Sequence, residues 1–249
     1  MSFTEHNVNG LIYDTSDVIT AAGSGAVHAF TTRHGGVSPA PYDSLNFADN
    51  KGDTSENLLE NYRRLGEAVG VDASRAVGCR LIHSDLVRIA SEEDAGKILW
   101  DDRPYDADGL ITNVPNLPLF AYGTDCCVIT LYDPTSRSIG AVHAGWRGTA
   151  SGIALKAAVS MMRCYGADPY TLRAAISPSI GKCCFETDSD VADAFFALLD
   201  PAMDERIEKR GDKYHIDLKA INRLWLLRAG IDPSRIDVHP DCTKCRPDR

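Results

Sequence analysis

The sequence lacks an excess of basic residues, a long apolar run and an N-terminal leader pattern. Its 26 Lys and Arg are outnumbered by 35 Asp and Glu, which gives a formal net charge of -9 at pH 7. This balance argues against a nucleic-acid partner, because binding to a phosphate backbone needs clustered cations. No stretch approaches the roughly 18 apolar residues of a membrane span, and residues 1–7 have no basic segment before an apolar one. We therefore expect a cytoplasmic protein that binds neither nucleic acid nor membrane.

Internal repeats, low-complexity tracts and long flexible linkers are also lacking in the chain. At 249 residues, 44% apolar and 24% charged, the sequence is that of an ordinary globular protein with a sizeable core. We predict one domain over residues 1–249, working as a monomer or homodimer.

Helical and strand-like patterns interleave along the chain. Strand patterns cover 10–13, 26–32, 80–90, 109–112, 128–132, 139–143, 172–176 and 236–238, and helical patterns cover 53–70, 148–165, 188–199 and 218–228. Asp53 and Glu56 have capping-box spacing at the start of the first helix. The turn at 133–136 predicts a hairpin between two central strands. Together these patterns predict an α+β fold, a mixed-sheet α/β layered arrangement.

Two histidines and one cysteine are the candidates for chemistry. His143 ends a predicted strand, Cys126 opens the neighbouring one, and His83 lies in a third strand-like segment. Three protein ligands with one open position are typical of catalytic zinc. The same donors also form blue-copper sites, so zinc and copper both stay open. The competing interpretation is an ordinary core or surface histidine, because spacings of 43 and 17 residues match no local metal motif.

Seven motifs in a fixed order carry a resemblance to a known family. They are Thr31–Ser38, Ser44–Asn46, Asp108–Thr112, Thr124–Cys126, Val142–Gly148, Ile180–Glu186 and Asp241–Cys245. The chain resembles the laccase-domain, or multicopper polyphenol oxidase, family, whose members were later reassigned as purine nucleoside phosphorylases. The resemblance implies that His83, Cys126 and His143 bind the metal.

The resemblance implies phosphorolysis of purine nucleosides and methylthioadenosine together with adenosine deamination. The alternatives are copper-dependent phenol oxidation, editing of a peptidoglycan precursor, and a non-enzymatic metal site in an interaction protein. Seven histidines without a His-x-His pair are too few for a four-copper oxidase. The His-x-Glu and Pro-Cys-x-x-Cys signature of zinc cytidine deaminases is also absent, so deamination would need another arrangement.

Supporting roles fall to residues beside the proposed ligands. Asp125 could orient a ligand imidazole or shuttle a proton, or it could simply cap a turn. Arg147 could bind an anion or form a structural salt bridge. Gly145 would let a substrate approach the metal.

Further substrate contacts are expected from the first third of the chain. Arg33 stands beside glycines whose amides could cradle an anion, although a plain tight turn fits equally well. Asn46 is carried over from its family motif. Relatives often have Asn-Arg in the first helix where this chain has Asn61-Tyr62, so Arg63 becomes the phosphate candidate and phosphorolysis itself is in question.

Cys242 and Cys245 have CxxC spacing, but we see no second matching pair. We interpret them as packed, reduced thiols, and we interpret Cys183 and Cys184 as buried cysteines.

Overall fold

The computed structural model describes residues 3–23, 25–49, 51–99, 102–198 and 200–248. Its strands are β1 (Phe3–Val8), β2 (Leu11–Ser16), β3 (Phe30–Thr31), β4 (Val87–Ile89), β5 (Gly109–Thr112), β6 (Cys127–Asp133), β7 (Ser138–Ala144), β8 (Arg173–Ile176), β9 (Glu186–Thr187), β10 (Ile207–Arg210), β11 (Lys213–Ile216) and β12 (Ile236–Val238). Its helices are α1 (Asp17–Thr20), α2 (Ser55–Val69), α3 (Trp146–Ala150), α4 (Ile153–Tyr165), α5 (Ser189–Phe196), α6 (Pro201–Asp204) and α7 (Leu218–Arg228).

A six-stranded mixed sheet lies at the centre, in the order β12-β8-β6-β7-β5-β4. Both outer pairs, β12 with β8 and β4 with β5, are parallel, and the inner pairs are antiparallel. The predicted hairpin is confirmed, since β6 and β7 pair with Val128 opposite His143. This pairing brings the start of β6 next to the end of β7, which is where the sequence places Cys126 and His143.

The two faces of the central sheet pack against different layers, because successive strand residues point to opposite sides. Ile129 and Leu131 of β6 join the main apolar core with α4 and α7. Tyr132 packs on the other face with Ile19 of α1 and Phe30 of β3. The mixed α+β layered fold predicted from the sequence is therefore confirmed.

Two smaller three-stranded sheets flank the central one. The first has the order β1-β2-β3, and the second has the order β10-β11-β9. The sequence patterns did not predict β1 or any strand of the second sheet. Three of the four residues of β10 are charged and none of the four is fully buried, whereas β11 buries only His215 and Ile216. Strands this short and with so few apolar residues show no clear alternation.

Two predicted strands are much shorter than expected. The segment 26–32 contributes only β3, and 80–90 contributes only β4. Residues 80–86 instead run irregularly, with the amides of His83 and Ser84 bonded to the Asp108 carboxylate. Side-chain acceptors thus replace the strand ladder, which an apolar pattern cannot reveal.

The helix predicted over 148–165 is two helices, α3 and α4, separated at Gly152. This glycine has φ of +73°, a left-handed conformation that interrupts the helix. A methyl group there would also lie 3.4 Å from the Trp225 ring. The helix predicted to end at residue 199 stops at Phe196 as α5, and residue 199 lies outside the described residues.

Helix α2 begins two residues later than predicted. Thr54, not Asp53, is its N-cap, and the Thr54 hydroxyl accepts from the Asn57 amide at 3.3 Å. Asp53 accepts instead from the side-chain amides of Asn46 and Asn57, both at 2.9 Å. The proposed Asp53–Glu56 capping box was therefore wrong.

Among the described helices, none has the length and apolarity that crossing a membrane requires.

Candidate metal centre

His83, Cys126 and His143 meet at one edge of the central sheet. Their donor atoms all lie within 4.8 Å of one another. The two imidazole rings stand almost perpendicular, at 86°, with centroids 5.0 Å apart. His143 lies in β7 and Cys126 directly precedes β6, whereas His83 lies in a loop and not in the strand that its sequence suggested.

Asp108 fixes the orientation of His143. The two are buried, and Nδ1 of His143 lies 2.9 Å from Oδ1 of Asp108. An ionised carboxylate can only accept, so Nδ1 carries a proton, and Nε2 is the nitrogen that would bind a metal. Burial alone would lower the pKa of His143, but its hydrogen bonds with Asp108 and Cys126 raise it to about 9. Burial would likewise raise the pKa of Asp108, yet the bonds from His143 and Ser84 hold it below its usual value.

The same carboxylate also holds the loop that carries His83. The His83 amide donates to Asp108 at 3.1 Å, and both the amide and the hydroxyl of Ser84 donate to it at 2.6 Å. His83 has φ of +56°, an uncommon conformation for a residue with a side chain. Asp108 therefore positions two of the three candidate ligands at once.

Gly145 forms the wall behind the three donors. A methyl group on this residue would lie 3.3 Å from each of Cys126 Sγ, His143 Cε1 and His83 Cδ2. The backbone of Gly145 has φ of −65°, so no special conformation requires glycine here. Glycine fits here because any side chain would crowd the three donor residues.

These donors fit a transition-metal ion. One thiolate and two neutral imidazoles are ligands that zinc and copper both accept. Tetrahedral zinc with bonds of about 2.0–2.3 Å would place the donors roughly 3.4–3.8 Å apart, which small side-chain movements from the present spacing achieve. No fourth His, Cys, Asp or Glu joins this group among the described residues. A metal ion held by these three donors would thus keep a fourth coordination position free of protein ligands.

The open side faces a cavity of about 1720 Å³. Its lining includes all three donors, together with the aromatic rings of Phe47 and Phe120. This volume exceeds the roughly 300–1,000 Å³ of a typical small-molecule site, so the metal centre occupies one part of a longer groove.

The loop from Arg33 to Asn46 forms part of the cavity wall. Arg33 and Asn46, which the sequence predicted as substrate contacts, both line the cavity. The loop is held by Asn61 of α2, a buried side chain whose Oδ1 accepts from the Val37 amide at 2.9 Å and whose Nδ2 donates to the Ser38 hydroxyl at 2.9 Å and the Asn46 carbonyl at 2.8 Å. The position of Asn46 therefore depends on α2.

The glycine loop after Arg33 is a tight turn and not an open anion cradle. The Gly36 amide donates to the Ser44 hydroxyl and the Ser38 amide to the Ser44 carbonyl. A methyl group on Gly36 would lie 2.0 Å from the Ser44 carbonyl oxygen, so close backbone approach explains this glycine.

Arg63 is not brought to the cavity. Its guanidinium forms ion pairs with Glu60 and Glu67 on the exposed face of α2. The residue preceding it, Tyr62, points inward instead and is buried, with its hydroxyl 2.9 Å from that of Tyr122. The position at which the family resemblance implied an arginine thus holds a neutral side chain.

Arg147 and Asp125 flank the centre without a hydrogen bond to its donors. The exposed Arg147 guanidinium stacks 4.2 Å over the neighbouring Trp146 ring and does not line the cavity. Trp146 packs against the main core and does not line the cavity either. Asp125 lines the cavity and accepts from the Thr243 hydroxyl at 2.6 Å. The carboxylate that orients a ligand imidazole is Asp108.

Asp108, Ser84 and Thr243 also belong to the site, although the sequence did not predict them. Asp108 stood in a recognised motif, but nothing in its spacing connects it to His143, 35 positions away. A carboxylate directly before a buried apolar strand was the available signal, and it was weak.

The fold and the site together define a mixed α/β protein with an open His₂Cys centre in a surface groove. The model of the family described as multi-copper polyphenol oxidoreductase laccase matches residues 27–249. The chain belongs to this family.

Similar proteins carry more specific names. The purine nucleoside phosphorylase YlmD of Geobacillus stearothermophilus is 35% identical over 225 residues, which cover 89% of this chain and 82% of that protein. The adenosine deaminase RL5, from an unknown prokaryotic organism, is 34% identical over 228 residues, covering 88% and 85%. The crystal structure of the Bacillus licheniformis hypothetical protein YfiH has a TM-score of 0.90 at 30% identity, covering 99% of this chain and 91% of that one.

Proposed function

We propose that the protein is a metal-dependent enzyme of purine nucleosides, acting as a phosphorylase and as an adenosine deaminase. The observation that carries the proposal is the open His83–Cys126–His143 group at the wall of a groove. The names of the similar proteins, one a purine nucleoside phosphorylase and one an adenosine deaminase, supply the substrate class.

We infer that the bound ion is zinc. A blue-copper site usually adds a long axial methionine to its two histidines and one cysteine. Met161 and Met203 are instead buried in the main core, and none of the described methionines lines the cavity. When bound, zinc would polarise a substrate or lower the pKa of a water molecule toward about 7.

The chain's own residues supply orientation and a water-poor wall. Asp108 keeps the proton of His143 on Nδ1, so the ligand nitrogen stays directed at the centre. The rings of Phe47 and Phe120, 6.1 Å apart in an edge arrangement, offer an apolar surface on which a purine base can pack. Gly145 leaves the space beside the donors open.

In this proposal, Arg33 binds the phosphate. Its guanidinium donates to the backbone carbonyls of Asp43 and Pro247, and no carboxylate pairs with it in the described part of the chain. The charge of Arg33 is therefore available to an anion at the cavity. Arg103, a buried guanidinium of the cavity wall, is instead neutralised by Asp49 at 2.9 Å.

We also propose that residues 1–249 act as one domain. The N-terminal and C-terminal parts are joined by buried contacts, such as the Ser16 hydroxyl donating to Asp237 at 2.6 Å. The Arg33 contact to the Pro247 carbonyl adds a second link at the cavity.

Product analysis with purified protein tests the proposed activity. Adenosine, inosine and methylthioadenosine are each incubated with zinc-loaded protein, with and without phosphate. We expect free base and the corresponding sugar 1-phosphate (ribose 1-phosphate, or 5-methylthioribose 1-phosphate from methylthioadenosine) only with phosphate, and inosine from adenosine in either case. Free base formed equally well without phosphate would show hydrolysis instead, and no product from any nucleoside would refute the proposal.

A second candidate is single-copper oxidation of phenols, with which the donor set and the family description are both compatible. It predicts one copper per chain and oxygen uptake with phenols. Protein purified without added metal that contains stoichiometric zinc and no copper would contradict it.

A further inference from the structure

Four cysteines form a second group of potential metal ligands, distinct from the His₂Cys centre. The sulfur atoms of Cys183, Cys184, Cys242 and Cys245 all lie within 4.8 Å of one another. None of the eight cysteines forms a disulfide. Nothing in the sequence indicated that these two cysteine pairs lie together, and the sequence predicted that Cys183 and Cys184 are buried. Cys183 is in fact exposed and Cys184 half-buried, so that expectation was wrong.

The spacing of the sulfur atoms suits a tetrahedral metal. A zinc ion with Zn–S bonds of about 2.3 Å places neighbouring sulfurs roughly 3.8 Å apart. Cys245 Sγ lies 3.8 Å from Cys183 Sγ and 3.5 Å from Cys184 Sγ. Four protein sulfurs would fill every position around the ion, which is the arrangement of a structural site and not of a catalytic one.

The backbone brings the two cysteine pairs together and prepares them for a cation. Ser179 and Cys242 form a parallel bridge, which sets the two turns side by side. The Gly181 amide donates to Cys242 Sγ at 3.2 Å. A methyl group on Gly181 would lie 3.2 Å from both Cys183 Sγ and the Cys242 Cβ, so a side chain there would crowd the group.

Backbone amides are directed at the sulfur of Cys242. The amides of Gly181, Cys245 and Lys244 all form hydrogen bonds with it. Backbone amides directed at a ligand sulfur also tune its charge in metal sites.

We propose that Cys183, Cys184, Cys242 and Cys245 bind one structural zinc ion. Binding exchanges four S–H bonds for four Zn–S bonds and releases up to four protons, with no change of oxidation state. The ion would join the loop after β8 to the C-terminal segment. That segment carries Thr243, whose hydroxyl donates to Asp125 beside Cys126, and Pro247, whose carbonyl accepts from Arg33. The zinc would therefore hold one wall of the cavity in place.

Metal content measured on defined variants tests this proposal independently of any activity. After zinc loading and removal of excess metal, we expect two zinc ions per chain in the wild type and one in the double variant Cys183→Ser, Cys245→Ser. One ion should also remain in His83→Ala, Cys126→Ser, which removes two donors of the other centre. Cys164→Ser, which changes an exposed cysteine outside both groups, should keep two.

Two readouts on the wild type cover the case in which a variant fails to fold. Cobalt substitution should give the intense thiolate-to-metal absorption of a four-sulfur site, and zinc should protect all four cysteines from alkylation. The proposal is overturned if the Cys183→Ser, Cys245→Ser variant keeps the wild-type zinc content. It is equally overturned if zinc leaves the alkylation rate of the four thiols unchanged, or if they are disulfide-bonded and metal-free after purification under reducing conditions.

Discussion

Asp108 is the residue on which the geometry of the proposed metal centre depends. One buried carboxylate accepts from the His143 imidazole, from the His83 amide and twice from Ser84. Second-layer partners of this kind typically change metal affinity by about 10–100-fold when removed. The geometry of the site therefore depends on Asp108 as well as on the three candidate ligands.

Replacement of Asp108 by asparagine tests this role. Asparagine keeps the size but loses the charge, and its amide hydrogens oppose the donors of Ser84. We expect zinc affinity at the His₂Cys centre to fall by about 10–100-fold, measured by competition with a chromogenic chelator. Asp106→Asn is the control, because Asp106 is mostly exposed and pairs with Arg80. Equal affinity in Asp108→Asn and the wild type would contradict the assignment.

At the level of single residues, the sequence predicted that the two histidines and the cysteine lie together, but it did not predict that Asp108 holds them. His83, Cys126 and His143 could be predicted because each sits beside an apolar run or within a recognised motif. The partner of His143 could not, because the contact depends on the pairing of β5 with β7, in which Gly109 lies opposite Val142. That register is a property of the folded sheet.

Among the elements, helix α2 shows how a single polar side chain can organise a wall of the cavity. Asn61 is fully buried in the helix and satisfies donors and acceptors of the loop 37–46. Buried backbone groups left without partners cost about 1–3 kcal/mol each. The contribution of α2 to the site is therefore larger than its apolar face suggests.

Replacement of Asn61 by alanine should destabilise the protein and disturb Asn46. We expect the free energy of unfolding to fall by roughly 2–4 kcal/mol in urea denaturation, because three bonded groups lose their partner. The KM for the nucleoside should rise as the loop loosens. Glu56→Ala, at an exposed position of the same helix, is the control. A loss of stability no larger than that of the control would show that the Asn61 bonds contribute little.

The secondary structure was predictable where an apolar pattern was long and buried. The patterns of 109–112, 128–132, 139–143 and 218–228 predicted β5, β6, β7 and α7 well. Prediction failed where side chains replace backbone pairing, as in 80–86, and where one glycine divides a continuous apolar stripe, as at Gly152.

For the whole molecule, a pH-sensitive contact lies within the N-terminal segment, between the end of β2 and the residues before β3. The Ser16 amide donates to Nε2 of His28 at 2.7 Å, so this nitrogen must stay unprotonated. Burial and the charge of His6 lower the pKa of His28 to about 4. Below about pH 6.5 the unfolded chain binds a proton that the folded protein does not, and the stability from this contact is lost as the pH falls toward 4.

Unfolding free energies at two pH values test this contact. Between about pH 7.5 and pH 5, we expect the wild type to lose about 2 kcal/mol more than His28→Gln, whose amide oxygen can accept from Ser16 without titrating. His34→Gln, at an exposed loop position, should behave as the wild type. Identical pH dependence in wild type and His28→Gln would contradict the argument.

The central claim is that the His83–Cys126–His143 group is a zinc centre that turns over purine nucleosides. Its most direct test is turnover of adenosine and inosine in phosphate buffer by protein stripped of metal and then reloaded with zinc. We predict that stripping abolishes turnover and that one equivalent at this centre restores it. Cys126→Ala should stay at least about 100-fold less active, while Cys164→Ala matches the wild type. Turnover by Cys126→Ala at the wild-type rate, or none by fully reloaded wild type, would contradict the account.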